Sequence, residues 1–414
     1  MHILLIHQAY ATLDEPGGTR HHEFARTLAA QGHRVTVIAS PVSYLTGSAL
    51  TPNPSPAPQE MGEGVRVIRA YTYRALHKSF VHRVFVFVSF MTSSFIIGLG
   101  IKNVDVVWGT SPPIFQGVTA WLLARLKHIP LLFEVRDLWP TFAIAVGVLR
   151  NPILIKLSFW LERFLYRRAD RVMVNSPGYV AHVTERGARC VELVPNGADP
   201  EMFDPTNGGL AFRSANHLED KFVVLYAGAH GLSNDLGVVL EAAKMLPRKG
   251  TGTSQDVIAT SEITVIFLGD GKEKPALQEQ AIGMGLTNVL FLPPVPKTEM
   301  AEALAGADAC LAILKPLEEY KTTYPNKVFD YMAAGRPVAL AIDGVIREVV
   351  EAAGCGIFAK PGNPSALAKA IKTLAADHER SRKMGLAGRK YLEEHFSRAV
   401  IAEKLLEVLK SISR

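Results

Sequence analysis

The sequence is poor in cysteine, with three residues in 414, Cys190, Cys310 and Cys355, and no CxxC spacing among them. That argues against a disulfide framework or a zinc ribbon, and each cysteine reads as a small buried hydrophobe. There is no D-x-D and no G-x-G-x-x-G. Without the glycine fingerprint, and without an acidic residue after the second strand, a nicotinamide dehydrogenase has no footing. An extended Lys/Arg stripe and the aromatic RNA-binding signatures are missing as well, so no nucleic acid is expected. No basic leader with a cleavage site precedes the first strand-like run, and a cytoplasmic, reducing setting is the expectation.

What is present is a folded composition, 48% hydrophobic and 20% charged. A length of 414 residues exceeds one ordinary core, so two domains are expected. The formal charge of +6 is uneven, with 20 Lys/Arg against 15 Asp/Glu in residues 1–210. A basic first half suits an anionic partner: a membrane surface, a nucleic acid or a phosphorylated ligand.

His2–His7 is a short apolar run, a buried parallel strand by pattern. Gly17-Gly18 precedes a helix over Thr19–Gln31, and Arg34–Ser40 is the next strand. A glycine pair lets backbone N–H groups come close to a phosphate or sugar. Arg20, His21 and His22 open the helix, and a place at a ligand cleft and a surface or capping place are both open to them. Residues 51–58 form a proline-rich, extended loop. A basic aromatic stretch follows from Tyr71 to Arg83. Val84–Ile101 then runs 18 residues without a formal charge. Length alone admits a membrane span, but Ser89, Thr92, Ser93 and Ser94 dilute the run and a buried strand resumes at Val104. A packed helix is the reading, with a helix dipping into a membrane interface as the alternative.

Leu131–Val135 is a strand running into Arg136-Asp137-Leu138-Trp139-Pro140. Charged residues just past the carboxyl end of a parallel strand lie where α/β sheets bind ligands. Arg136 and Asp137 are therefore candidates, and a loop ion pair is the plainer reading. Over Lys156–Arg171 apolar residues recur at helical spacing, with a basic polar side. Trp160, Arg163, Phe164, Arg167 and Arg168 would face an anionic membrane if this helix does more than cover a core.

A polar stretch at 206–220 reads as a linker, after which the alternation restarts with strand Phe222–Gly228 and the turn Ala229-His230-Gly231. Residues 247–261 look like a surface insertion. A second turn, Gly269-Asp270-Gly271, precedes another helix. Lys321–Val338 is a loop, a helix and a strand start, with Pro325 at the first helical position and Gly335 at the cap. Free N–H groups at the helix start and Lys327 in its first turn attract an anion. Asp330, about one turn on, suits a diol. An ordinary capped helix with an exposed Lys–Asp pair is the alternative. The whole pattern predicts two Rossmann-like α/β domains facing across a cleft: residues 1–205, residues 206–395, and a helix 396–414 packing back toward the first domain.

Taken in order, Gly17-Gly18, Gly32–Val37, Pro195-Asn196-Gly197-Ala198-Asp199, Gly269-Asp270-Gly271, the block 324–338 and Gly354-Cys355-Gly356 resemble the retaining glycosyltransferases of family 4, which have the GT-B fold. Arg136–Pro140 and Lys321–Lys327 resemble the fucosamine transferases of bacterial O-antigen, capsule and colanic-acid assembly. The resemblance implies transfer from a nucleotide sugar, UDP-linked, to a lipid-linked saccharide, with retention, by a hexosyl or N-acetylhexosaminyl transferase peripheral on the inner face of the cytoplasmic membrane. A nucleotide-sugar 2-epimerase on the same fold, or a non-catalytic basic binding module, is the alternative. No metal or other cofactor is implied, in keeping with the missing D-x-D. The donor-binding set it implies is Gly18, Arg20, Gly228, His230, Gly231, Asp270, Lys274, Thr322, Thr323, Asn326, Lys327 and Asp330. Asp330 matches the second acid of the family's paired motif, while Thr322 stands where the first would be. Ala229, His230 and Asn234 stand in the region of the usual Arg and Lys, which moves the weight onto Lys327, the helix start and the Gly228–Gly231 backbone. Asp137, Arg136 and His21 form the expected catalytic group, with Asp137 orienting or deprotonating the acceptor hydroxyl.

Overall fold

The structure is a computed structural model that describes residues 1–15, 17–42, 59–60, 64–73, 80–247 and 262–413. The proline-rich loop 51–58, the basic residues Arg74, His77 and Lys78, and the polar stretch 248–261 lie outside the described residues. Two units divide the chain: Met1–Pro195 together with the chain from Arg398 on, and Asn196–Ser397. The break falls earlier than the polar stretch at 206–220 suggests. Ala198, Phe203 and Leu218 are buried in the second unit's core, so that stretch is already committed to it.

The first unit is built on a sheet of eight strands. They are β1 (His2–Ile6), β2 (Arg34–Ala39), β3 (Gln59–Glu60), β4 (Val65–Arg69), β5 (Val106–Ser111), β6 (Leu131–Val135), β7 (Arg171–Val174) and β8 (Val191–Leu193), in the order β3-β4-β2-β1-β5-β6-β7-β8. All neighbours pair parallel except β3 with β4. Every residue of β1, β5 and β6 is buried, as a strand covered by helices on both faces must be. The order reverses beside β1, and the carboxyl ends of β1 and β5 make the crevice where doubly wound sheets bind ligands.

Helix Phe80–Gly100 packs on helix Phe115–Lys127 and buries Val86, Phe90 and Ser94. Among the described residues no helix is long and apolar enough to cross a membrane. Helix Pro152–Arg168 starts at Asn151, whose side chain accepts from the N–H groups of Ile153 and Leu154. Helix Arg398–Ile412 packs on helix Arg20–Ala30, with Arg398 paired to Glu23.

The second unit has six parallel strands: β9 (Phe222–Ala227), β10 (Ile263–Leu268), β11 (Val289–Leu292), β12 (Ala309–Ile313), β13 (Val338–Ala341) and β14 (Gly356–Phe358). Their order is β11-β10-β9-β12-β13-β14, so the reversal lies between β9 and β12. Two apolar clusters cover the two faces, one under helix Asn326–Ala333 and one under helices Leu236–Lys244 and Pro364–Ala376. Each fully buried Leu, Ile or Phe contributes about 1.5–3 kcal/mol, and this burial sets the strand registers that aim the turns above them.

Candidate functional site

In the first unit the polar centre is Glu134, the one acid in the apolar run of β6 and fully buried. Its Oε1 accepts from Arg20 Nε at 3.0 Å. Its Oε2 accepts from His21 Nε2 at 2.6 Å and from Trp108 Nε1 at 3.1 Å. Burial alone would raise this carboxyl, but His21, Arg20 and Arg136 outweigh it and hold it down at about 2. His21 is pushed down to about 4, first by burial and with Arg136 and Arg20 adding to it, against the pull of Glu134. At neutral pH the pair is therefore a carboxylate and a neutral imidazole.

Arg20 spends each of its three nitrogens on protein acceptors. Beyond Glu134, Nη1 donates to the Pro195 carbonyl and Nη2 to that of Val194, at 2.6 and 2.7 Å. It ties the start of helix Arg20–Ala30 to the ends of β6 and β8, and is 5% exposed. The expectation of a cation held out to a donor is corrected here: neighbours far away in sequence consume the guanidinium. Gly18 has no atom within 4 Å of where a Cβ would be, so the loop keeps open backbone beside the buried helix start.

Arg136 and Asp137 do not form the loop ion pair. Arg136 donates instead to the carbonyls of Ser111 and Pro112, both at 3.3 Å, and braces the turn after β5. Asp137 is exposed at the end of β6. Dehydration by its surroundings raises its carboxyl to about 6, with Arg136 opposing. Its open surface argues for a smaller rise, and on either view it is ionised at neutral pH. His7, just past β1, lies against His21 with ring centroids 4.0 Å apart and ring planes tilted by 38°.

In the second unit the turn after β9 is packed against the turn after β10. A Cβ on Gly269 would stand 2.0 Å from the Gly228 carbonyl oxygen, so only glycine allows this approach. The His230 N–H donates to the Asp270 carbonyl at 2.8 Å, and the Glu273 N–H donates to the His230 carbonyl. The His230 ring is turned inward, fully buried among Tyr226, Phe267 and Phe291. Its backbone builds the turn, in the region where the donor-side backbone is expected, and aromatic rings from β9, β10 and β11 hold its side chain. Burial, Lys274 and Lys327 push it down to about 4, so it is neutral. Gly231 helps line a recess of about 210 Å³ with Asp235, Glu273, Gln280 and Lys315, at the point of strand reversal.

Asp270 uses its side chain on the Gly271 N–H. Lys274 donates to the carbonyls of Gly269 and Leu292, at 2.7 and 2.9 Å, and clamps the ends of β10 and β11. Thr322 bonds back to the Glu319 carbonyl within a single 3-10 turn, and Thr323 ends that turn.

Helix Asn326–Ala333 begins one residue later than expected, with Pro325 as its cap and no side chain capping it. Lys327 is set apart from every cation above. Its Nζ is buried and has no hydrogen-bond partner among the described residues. It lies 3.8 Å from the Tyr226 ring centroid and 3.0 Å from where a Cβ on Gly228 would be. Burial lowers it to about 7. Cation–π contact returns about 2 kcal/mol at a desolvated site, less than a buried, unpaired ammonium loses. Asp330 pairs with Lys297 at 2.6 Å and takes a long contact from Asn326, so the exposed Lys327–Asp330 pair does not form. Lys297 has no counterpart among the sequence candidates; its only sign was a cation at the first position of helix Lys297–Ala305. No group of His, Cys, Asp and Glu among the described residues is arranged to hold a metal ion.

Helix Pro152–Arg168 leaves Trp160 61% exposed, along with Ile153 and Leu157 on the same face. Arg163, Arg167 and Arg168 are exposed, and Phe164 is half-buried, stacked on Trp160.

Comparison with known proteins follows the division of the chain. Residues 17–197 match the glycosyl transferase 4-like domain and residues 210–391 match the glycosyl transferases group 1 family. The chain belongs to the family 4/group 1 glycosyltransferases of GT-B type. It is 26% identical over 299 residues to a D-inositol 3-phosphate glycosyltransferase of Nocardia farcinica, covering 70% of this chain and 63% of that protein. The chain spans 58% to 63% of the length of three D-inositol 3-phosphate glycosyltransferases that it matches. A putative colanic acid biosynthesis glycosyl transferase, WcaI of Escherichia coli, is 24% identical over 76% of each chain. Among solved structures, Anabaena HepE in complex with UDP and glucose superposes with a TM-score of 0.72 at 17% identity, over 99% of this chain and 100% of that one. The two parallel-sheet α/β domains are thus of the GT-B fold. The fucosamine-transferase subgroup is not among these findings.

Proposed function

We propose that this protein transfers a sugar, hexosyl or N-acetylhexosaminyl, from a UDP-linked donor to a lipid-linked saccharide in bacterial surface polysaccharide synthesis, with retention of configuration. The observation that carries this reading is Lys327: a buried Nζ without a hydrogen-bond partner, in the first turn of an uncapped helix beside the Gly228 turn, which an anion would hold in its charged form. A diphosphate supplies the missing charge and accepts from the helix N–H groups. The UDP in the HepE structure and the colanic-acid assignment of WcaI support the donor and the pathway class. As the acceptor oxygen bonds to the anomeric carbon, the bond to diphosphate breaks and its electron pair leaves with the diphosphate. Lys327 and the helix start stabilise that charge. Asp330, held by Lys297, is the group for the ribose diol, and ionised Asp137 is the group for the acceptor hydroxyl. No cofactor enters this scheme. The basic, Trp-bearing face of helix Pro152–Arg168 is the surface for anionic lipid.

A donor panel tests the reading. Nucleotide diphosphate released from UDP-, GDP- or ADP-sugars in the presence of saccharide acceptors supports it, with UDP expected. Conversion of a sugar nucleotide without any acceptor would instead mark a 2-epimerase.

A further inference from the structure

The two adjoining imidazoles of the first unit, His7 and His21, are set in opposite senses by their neighbours. The Gln8 N–H donates to Gln116 Oε1 at 2.6 Å, which fixes the orientation of that amide. Gln116 Nε2 then donates to Thr110 Oγ1 at 2.9 Å. Thr110, fully buried, has His7 Nδ1 at 2.8 Å, and its hydroxyl hydrogen goes there. A neutral His7 that accepts at Nδ1 carries its proton on Nε2. That Nε2 is buried with no partner among the described residues. His21 is set the other way: the Glu134 carboxylate takes its Nε2–H, and a bare Nδ1 acceptor is left, also buried and without a partner. A donor and an acceptor, each costly to leave unpaired in a buried place, therefore lie on rings 4.0 Å apart. They stand past the carboxyl ends of β1 and β5, beside the point of strand reversal.

One group satisfies both atoms at once: a hydroxyl, which accepts one hydrogen bond and donates another. We propose that His7 and His21 form a seat for one hydroxyl of a saccharide substrate, with Glu134 and Thr110 as the positioning residues that set the two tautomers. A carbonyl would leave His21 Nδ1 bare, and an ammonium would leave His7 Nε2–H bare, so the seat selects hydroxyl over either. The substrate class rests on the glycosyl-transfer reading above; the tautomers do not. A permanently held water is the competing occupant.

The test follows the ring nitrogens of His7 and His21 by NMR in the full-length protein. Methyl pyranosides of glucose, galactose and N-acetylglucosamine are the probes. At least one is expected to move both His7 Nε2 and His21 Nδ1. Glu134→Gln and Thr110→Val should each weaken that probe by about five- to tenfold, with UDP affinity within about twofold of wild type. Thr110→Val keeps the side-chain shape and serves if Glu134→Gln does not fold. Rings that no probe moves, or probe affinities unchanged in both variants, overturn the seat and leave a held water. Nucleotide release with lipid-linked saccharide acceptors reads the transfer activity separately. Release without ring movement sinks the seat alone, whereas ring movement without release from any donor keeps the seat and sinks the transfer reading.

Discussion

Glu134 in the first domain and Lys327 in the second are both buried ionisable groups close to the carboxyl end of a sheet, and they differ in what meets them. Glu134 receives Arg20, His21 and Trp108 on its two oxygens. Lys327 meets an aromatic face and no acceptor. Charge inside a protein is tolerated when paired and costly when not. The first arrangement is complete within the chain and reads as architecture, whereas the second is incomplete and reads as half of a contact with an anion. The same contrast sorts the other cations. Lys274 and Lys297 have partners in the protein and hold turns or carboxylates in place.

The largest effect is expected from removing the Glu134 carboxylate. Glu134→Ala strands Arg20, His21 and Trp108 in a buried place, and losing one member of such a network costs about 3–5 kcal/mol. All four tryptophans, Trp108, Trp121, Trp139 and Trp160, lie in the first domain. Urea unfolding followed by Trp fluorescence therefore reads this loss where it occurs. A cost below about 1 kcal/mol, an ordinary single hydrogen bond, would mean that Glu134 is not the organiser of this centre.

A somewhat smaller effect is expected from acid. His21 is held near 4 when folded and has an ordinary value of 6.5. The unfolded chain therefore binds the proton first, and the stability His21 contributes above pH 6.5 is lost as pH falls toward 4. The difference corresponds to about 3 kcal/mol. Glu134 is depressed, from 4.5 to about 2, so its own contribution is lost lower, as pH falls from 4.5 toward 2. Tryptophan-detected stability should thus decline below pH 6.5 and keep declining below 4.5. A flat profile between 6.5 and 4 would show that His21 is not buried as a neutral ring.

The smallest expected effect concerns the exposed face of helix Pro152–Arg168. Basic residues at an anionic surface are worth about 1 kcal/mol each. Reversing Arg163, Arg167 and Arg168 to glutamate should release the protein from vesicles containing phosphatidylserine, with no change in Trp-detected unfolding. Equal pelleting of wild type and variant would leave Trp160 as surface without a lipid role.

Local pattern carried much of the fold. The strand–helix alternation, the glycine turns at Gly228 and Gly269 and the terminal helix are features of neighbouring residues, and periodicity and capping report those. What escaped depends on partners far apart in the chain. Arg20 and His21 looked like candidates for a ligand because nothing nearby in sequence claims them; Glu134, 113 or 114 residues away, does. A signal for it was available, since a single acid inside Leu131-Leu132-Phe133-Glu134-Val135 has to be paired to be buried. The inward turn of the His230 ring was hidden for the same reason, because the rings that draw it inward include Phe267 of β10 and Phe291 of β11. The paired Lys297 and Asp330 come from different helices. The helix that carries Lys327 was legible because its start, cap and charge lie within a few residues of one another.

Calorimetric titration of UDP into wild type and Lys327→Ala at neutral pH shows whether Lys327 receives the diphosphate of a nucleotide sugar, as we propose. A hydrogen bond to a charged group is worth about 1.5–3 kcal/mol, which is about a ten- to hundredfold loss of UDP affinity. Trp-detected stability should be unchanged, since the ammonium contributes nothing to the first domain's core. UDP affinity equal in the two proteins would contradict the claim.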